Sequence, residues 1–174
     1  QSKACPAMTK FKSLAAAALI LMLTACNGAA PDAGPPPLEG ARMGGTFRLI
    51  NQDGKTVTDK DFTGKYRLVY FGYSFCPDVC PVDAQVMGRA LKLFEAEDKG
   101  RALKIVPIFI TVDPARDTPG VLKEFVSNFH PRMVGLTGTV AQIDEVAQRY
   151  GIAFMRDKPN AQGAYLVDHA RMIV

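Results

Sequence analysis

Residues 70–81 read Tyr70-Phe71-Gly72-Tyr73-Ser74-Phe75-Cys76-Pro77-Asp78-Val79-Cys80-Pro81. Two cysteines four positions apart stand after an apolar run and before a helical pattern. The run Arg67–Phe71 is rich in strand formers, so it predicts a buried central strand. Behind the cysteines, Val82, Val86, Ala90, Leu91 and Phe94 mark one helical face, closed by Gly100. A dithiol at a strand-to-helix junction is the thioredoxin-like arrangement. The first helical turn offers unpaired N–H groups and partial positive charge, both of which stabilise thiolate. Pro81 near the helix start loses no hydrogen bond and pre-sets φ. Three roles are open to such a pair: a structural disulfide, a redox dithiol, or a metal site.

Outward from this stretch the pattern alternates. Gly44–Ile50 and Lys55–Thr58 alternate around Asp53-Gly54, a hairpin signal. Leu103–Val112 predicts a second buried strand, in which Pro107 cannot donate a ladder hydrogen bond. Thr118 is a candidate N-cap with Pro119 in the first helical position. Leu122, Phe125, Val126 and Phe129 then share one face. Met133–Thr137 predicts a short strand, and Thr139 with Gln142 a capping box. Ile143, Val146, Ala147 and Tyr150 carry that helix to Gly151. Ile152–Met155, Ala164–Val167 and Arg171–Val174 read as strands. The order predicts an α/β, thioredoxin-like domain over residues 44–174, with an N-terminal hairpin and a mixed sheet flanked by helices.

The residues ahead of it read differently. Met8 reads as the natural start, with residues 1–7, including Cys5, an upstream extension. Met8–Lys12 is a short positive segment, and Ser13–Leu23 is an apolar run shorter than the ~20 residues of a spanning helix. Together they read as an export signal. Leu23-Thr24-Ala25-Cys26 resembles a bacterial lipobox, which makes Cys26 the candidate lipidated residue. Residues 27–43 read as a Pro/Ala/Gly-rich tether; Asn27–Gly40 would reach on the order of 40 Å in polyproline geometry. The expected location is the periplasmic side of the cytoplasmic membrane, where dithiols tend to oxidise. The formal charge is +4, but Lys3, Lys10 and Lys12 belong to the leader, and without them it is +1. Such a balance does not point to nucleic acid as a partner.

Phe75-Cys76-Pro77-Asp78-Val79-Cys80-Pro81, Val112-Asp113-Pro114-Ala115-Arg116-Asp117-Thr118-Pro119 and Val167-Asp168-His169, in that order, resemble the SCO/SenC family. Its members are membrane-anchored, thioredoxin-fold copper proteins that help assemble the dinuclear copper centre of cytochrome c oxidase. The resemblance runs from about Gly44 to Val174. It implies that Cys76, Cys80 and His169 bind copper, as Cu(I), Cu(II) or both. It implies a copper-accepting oxidase subunit as partner, with another periplasmic copper chaperone or a thioredoxin-like reductant as further candidates. It also implies a last strand and helix beyond Val174.

The chemistry of the residues is compatible with that. Thiolates favour Cu(I), and imidazole accommodates Cu(II). Structural zinc generally wants four ligands. Thioredoxin-like oxidoreductases usually place a cis-proline opposite the dithiol; no Pro occurs between Gln162 and Val174, and His169 occupies that region. Asp78 and Asp168 flank the ligands as candidate supporting or docking residues. Asp113, Arg116 and Asp117 are expected to fix the loop before the second helix. His130 reads as a cap or surface residue, and Met43, Met133, Met155 and Met172 as core. The rival functions are enzymatic. One is a thiol–disulfide reductase acting through Cys76 and Cys80. The other is a thiol peroxidase, which would want Thr or Ser where Tyr73 stands.

Overall fold

The computed structural model describes Gly40 and residues 43–174. The expected leader, Cys5, Cys26 and nearly all of the tether lie outside the described residues. Among the described residues, no helix is long and apolar enough to cross a membrane.

Strands β1 (Arg48–Asn51) and β2 (Thr56–Thr58) form the hairpin. They pair antiparallel, Leu49 opposite Val57. The turn closes because Asn51 Oδ1 accepts the N–H groups of Asp53 and Lys55, while Gly54 takes a left-handed φ of 75°. A 3-10 turn, Asp59–Phe62, leads into β3 (Tyr66–Gly72). Then follow α1 (Val79–Glu97), a short turn α2 (Lys99–Ala102), β4 (Ile105–Thr111), α3 (Pro119–Ser127), β5 (Val134–Thr137) and α4 (Val140–Arg149). The five strands form one mixed sheet in the order β2-β1-β5-β4-β3. Strands β3, β4 and β5 run parallel, and β1 joins β5 antiparallel.

Strand β3 is therefore an edge strand, not the central one expected. Its free side is taken by the chain's last residues. Val69 and Val174 exchange N–H···O bonds of 2.6 and 2.9 Å, and Tyr70 bridges to Ile173. That coverage explains the continuous apolar run: Val69–Gly72 are buried although the strand has one partner in the sheet. Pro107 does not interrupt β4. The β5 ladder begins one residue later, at Ile108, so the missing donor falls where β4 has only β3 beside it.

Both helix caps form. Thr118 accepts the Val121 N–H, and Thr139 and Gln142 exchange the two bonds of a capping box. The face of α1 differs from expectation. Cys80, Ala84, Met87, Gly88 and Leu91 point inward, while Val82 and Val86 are 54% and 58% exposed. The register follows Cys80, which packs like a small apolar side chain. Gly88 permits it, since a Cβ there would lie 2.6 Å from the Phe129 carbonyl oxygen. The helix ends at Glu97; Gly100 falls within α2.

After α4, β6 (Phe154–Arg156) and β7 (Val167–His169) form a separate antiparallel pair. The expected strand Ala164–Val167 starts three residues late. Asn160 Oδ1 accepts the N–H groups of Gln162 and Ala164, and this turn holds Ala164 out of the ladder. The expected strand over residues 171–174 reduces to the isolated bridge at Ile173 and the two Val174–Val69 hydrogen bonds. Of the methionines read as core, Met133 is buried and Met172 packs on the core, but Met43 and Met155 are exposed.

Candidate metal centre

The loop from Tyr73 to Asp78 carries Cys76, and α1 carries Cys80 in its first turn. Asp117 pins this loop. Its carboxylate accepts the Ser74 N–H at 3.0 Å, the Ser74 hydroxyl, and the Thr111 hydroxyl at 2.6 Å. Burial raises the Asp117 pKa although these donors oppose the shift. Asp113 pairs with Arg116 and accepts the Tyr165 hydroxyl at 2.7 Å. The Arg116 guanidinium lies over Tyr165, with Phe75 and Tyr73 also in range, and donates to the Tyr165 carbonyl. So Asp113, Arg116 and Asp117 do more than order their own loop. They bind the Cys76 loop on one side and the segment leading to β7 on the other.

Cys76 and Cys80 are free thiols. They differ in environment. Burial opposes ionisation of Cys76, but the N–H groups of Cys80, Asp78 and Val79, aided by the Cys80 thiol, outweigh it. The Cys76 thiol is held below its ordinary value, as expected of sulfur at a helix N-terminus. The direct contact is the Cys80 N–H at 3.5 Å from Cys76 Sγ. Cys80 is 0% exposed, and burial, with the Cys76 thiol beside it, pushes its pKa up to about 12.

His169 arrives from β7. Pairing with β6 sets Phe154 opposite His169. The imidazole stands edge-on to two rings, Tyr70 and Tyr73, each 6.1 Å away. Burial raises both phenols, so both stay protonated and can donate. The His169 Nδ1 faces the Ala170 carbonyl at 3.3 Å, and Nε2 faces Cys80 Sγ at 3.1 Å. A proton on Nδ1 satisfies both contacts and turns the Nε2 lone pair toward the sulfurs. Cys76 Sγ, Cys80 Sγ and an imidazole nitrogen thus lie within 4.8 Å of one another, with no fourth His, Cys or carboxylate in the group among the described residues. This is a soft three-donor set, short of the four ligands of structural zinc.

The remaining sequence candidates sort by position. Asp78 and Asp168 are exposed, and no hydrogen bond ties either side chain to a ligand. His130 is no surface residue: it is 1% exposed, accepts the Arg132 N–H at Nδ1 and faces Glu95 through Nε2. Glu95 lies fifteen residues along α1 from Cys80, about 22 Å away, so His130 is remote from the thiols. Several contributors carry no motif signal: the walls Tyr70 and Tyr73, the ion pair of Asp83 with Arg171, and Gly72 beneath Cys80. Only the glycine ending an apolar strand hinted at a close approach.

A mixed sheet with a dithiol at a β-to-α junction and an imidazole across from it defines a thioredoxin-like protein with a three-donor soft-metal centre. Residues 35–174 match the SCO1/SenC family model, and the chain belongs to that family. It is 48% identical to Protein SenC of Rhodobacter capsulatus over 130 residues, 75% of this chain and 57% of that protein. It is 46% identical to the mitochondrial Protein SCO2 of Saccharomyces cerevisiae over 131 residues, 74% of this chain and 42% of that one. The chain thus spans about half the length of these relatives. Among solved structures, copper-bound ScoI of Bradyrhizobium japonicum superposes with a TM-score of 0.68 at 40% identity, covering 75% of this chain and 80% of that one.

Proposed function

We propose that this protein is a copper metallochaperone. It holds copper as cargo through Cys76, Cys80 and His169 and delivers it to a cytochrome c oxidase subunit that builds a dinuclear copper centre. The observation that carries this reading is the convergence of two thiols and one imidazole within 4.8 Å. Binding requires both thiolates deprotonated and the imidazole neutral. Cys76 is already biased toward thiolate; the high pKa of Cys80 makes it the thiol that must lose a proton, to solvent, on loading, which leaves the His169 Nε2 lone pair, 3.1 Å from Cys80 Sγ, free for copper. Handover proceeds by ligand exchange. The exposed side of the site, with Cys76 half-buried and Asp78 and Asp168 exposed, is where an acceptor docks.

Export and lipidation belong to the same proposal. The leader ending at Cys26 and the Pro-rich tether support a lipid-anchored protein facing the periplasm, and a periplasmic copper donor or thioredoxin-like reductant as upstream partner. The deciding experiment is copper titration with coordination spectroscopy on the reduced domain from residue 43. Wild type binds one copper through two sulfurs and one imidazole. His169→Ala and Cys76→Ser each lose affinity and change the coordination. Equal affinity and spectra in His169→Ala and wild type would sink the reading.

A second function is favoured by the unequal thiols: a thiol–disulfide reductase acting on the acceptor's cysteines. The Cys76 thiolate attacks a substrate disulfide, forming a mixed disulfide and releasing one substrate thiolate. Cys80, its proton passed to His169, displaces the second and closes a Cys76–Cys80 disulfide, so two electrons leave the dithiol. A Cys76→Ser variant that still reduces the acceptor would eliminate it.

A further inference from the structure

The geometry points to Asp83 and Arg171 as positioning residues that hold His169 against Cys80. The inference rests on His169 being a copper ligand, as proposed above, and asks what keeps it in place.

His169 belongs to a two-stranded sheet separate from the five-stranded one. Upstream, the strand is tied by the Val167 N–H, 3.4 Å from the Tyr73 hydroxyl. Downstream, the Ala170 N–H donates to the Ala153 carbonyl at 3.0 Å, and the next contacts with the five-stranded sheet are at Ile173 and Val174. Between them, besides the Cys80–His169 contact itself, a second side-chain interaction joins this segment to α1. Arg171 Nε donates to Asp83 Oδ2 at 3.0 Å and Arg171 Nη2 to Asp83 Oδ1 at 2.7 Å. This is the bidentate fork that makes Arg–carboxylate pairs directional.

The spacing gives the pair its leverage. Asp83 stands three residues after Cys80, and residues three apart are neighbours on a helix surface. Arg171 stands two residues after His169, just past the end of β7. The contacts Cys80–His169 and Asp83–Arg171 are therefore adjacent rungs between α1 and one short stretch of chain, the end of β7 and the residues just after it. Asp83 has a third partner: the Tyr70 hydroxyl donates to its Oδ2 at 3.0 Å, and the Tyr70 ring walls one side of the imidazole. One carboxylate thus fixes both the strand that carries His169 and a ring against which it rests. Asp83 is well covered, its side chain 17% exposed, whereas Arg171 is 55% exposed.

Arg171→Gln tests this cleanly, because it removes a half-exposed guanidinium from no core contact. The probes are Cu(I) and Cu(II) added to the reduced domain, with far-UV circular dichroism and thiol counting as controls. The expected result is native circular dichroism, two titratable thiols and one equivalent of Cu(I). The Cu(II) affinity falls on the order of ten-fold, the lower end of what losing a ligand-orienting partner costs. The imidazole nitrogen splitting in the Cu(II) electron paramagnetic resonance spectrum weakens toward that of His169→Ala. Arg171→Lys, which keeps the charge without the fork, recovers part of the signal. The swapped pair Asp83→Arg with Arg171→Asp recovers more than either single change.

The inference is overturned if Arg171→Gln keeps Cu(II) affinity and nitrogen splitting like wild type while His169→Ala loses both. If His169→Ala itself matches wild type, the copper reading fails and this inference with it. A uniform loss of Cu(I), Cu(II) and circular dichroism would mark the pair as structural only and also overturns it.

Discussion

Gly72 lies beneath the Cys80 thiol: a Cβ on Gly72 would sit 3.0 Å from Cys80 Sγ, 2.9 Å from Tyr70 Cε1 and 3.1 Å from Phe109 Cε2. The last residue of β3 is thus a glycine because the buried thiol and two rings already occupy that space. Gly72→Ala must displace at least one of them. Overpacking of this kind costs roughly 1–3 kcal/mol, and moving Cys80 or Tyr70 disturbs the copper site directly. The expected outcome is lower thermal stability together with weaker copper binding. Wild-type affinity with only a lowered Tm would show that the strain is taken up by Phe109 alone.

Arg116 connects both halves of the site. It pairs with buried Asp113, lies 3.7 Å from the Tyr165 ring centroid, and sits over Phe75, next to Cys76. Arg116→Ala strands the Asp113 carboxylate, a loss of roughly 3 kcal/mol. Arg116→Lys keeps the charge but not the planar stacking, so it should recover the ion pair without the ring contacts. Hydrogen exchange measures the difference. Amides of residues 157–169 should lose protection in both variants, more than those of β4. Uniform loss across the domain would argue against a local clamp.

The pH dependence of Asp117 has a definite sign. Burial raises its pKa in the folded state, so the native protein keeps a proton that the unfolded chain has already released. Stability then falls as pH rises through the window just above the ordinary carboxylate value. Asp117→Asn cannot ionise and removes that slope. Urea unfolding of both proteins from about pH 3 to pH 7 should show the wild-type advantage over the variant shrinking with pH. The carboxylates with lowered pKa, Asp53, Asp61, Asp83 and Glu95, have the opposite sign but are common to both proteins and cancel. An advantage that grows with pH would mean that the Ser74 and Thr111 donors outweigh burial.

What the sequence disclosed was mostly local. The Thr118 and Thr139 caps and the Asp53-Gly54 turn depend on a few neighbouring residues, and they stand as read. The error over β3 has a long-range cause, since its outer side is closed by Val174, more than a hundred positions away. The α1 face was misread because periodicity ranks Val82 and Val86 above a cysteine, whereas burial of Cys80 sets the register. For the site, the dithiol was visible from its junction, and His169 only from its motif and the missing proline. The Asp83–Arg171 rung could not be read, because neither residue departs from an ordinary surface charge until the fold sets them together.

The contrast between the two thiols gives the most direct test of the site's electrostatics. Helix N–H groups lower Cys76, which is half-buried; burial raises Cys80 to about 12 and leaves it no accessible surface. In the reduced, metal-free domain at neutral pH, iodoacetamide should modify Cys76 first, because the thiolate is the reactive form. Cys80 should stay unmodified until the domain is unfolded. Peptide mapping by mass spectrometry against time resolves the order. Raising the pH speeds the reaction at Cys76 only up to its lowered pKa and then levels off, whereas Cys80 in the folded domain gains little. The same order governs thiol exchange, with Cys76 attacking and Cys80 resolving. Faster alkylation of Cys80 than of Cys76 would reverse that assignment. It would also place Cys80 outside the enclosure that the Tyr70 and Tyr73 rings and His169 form around it.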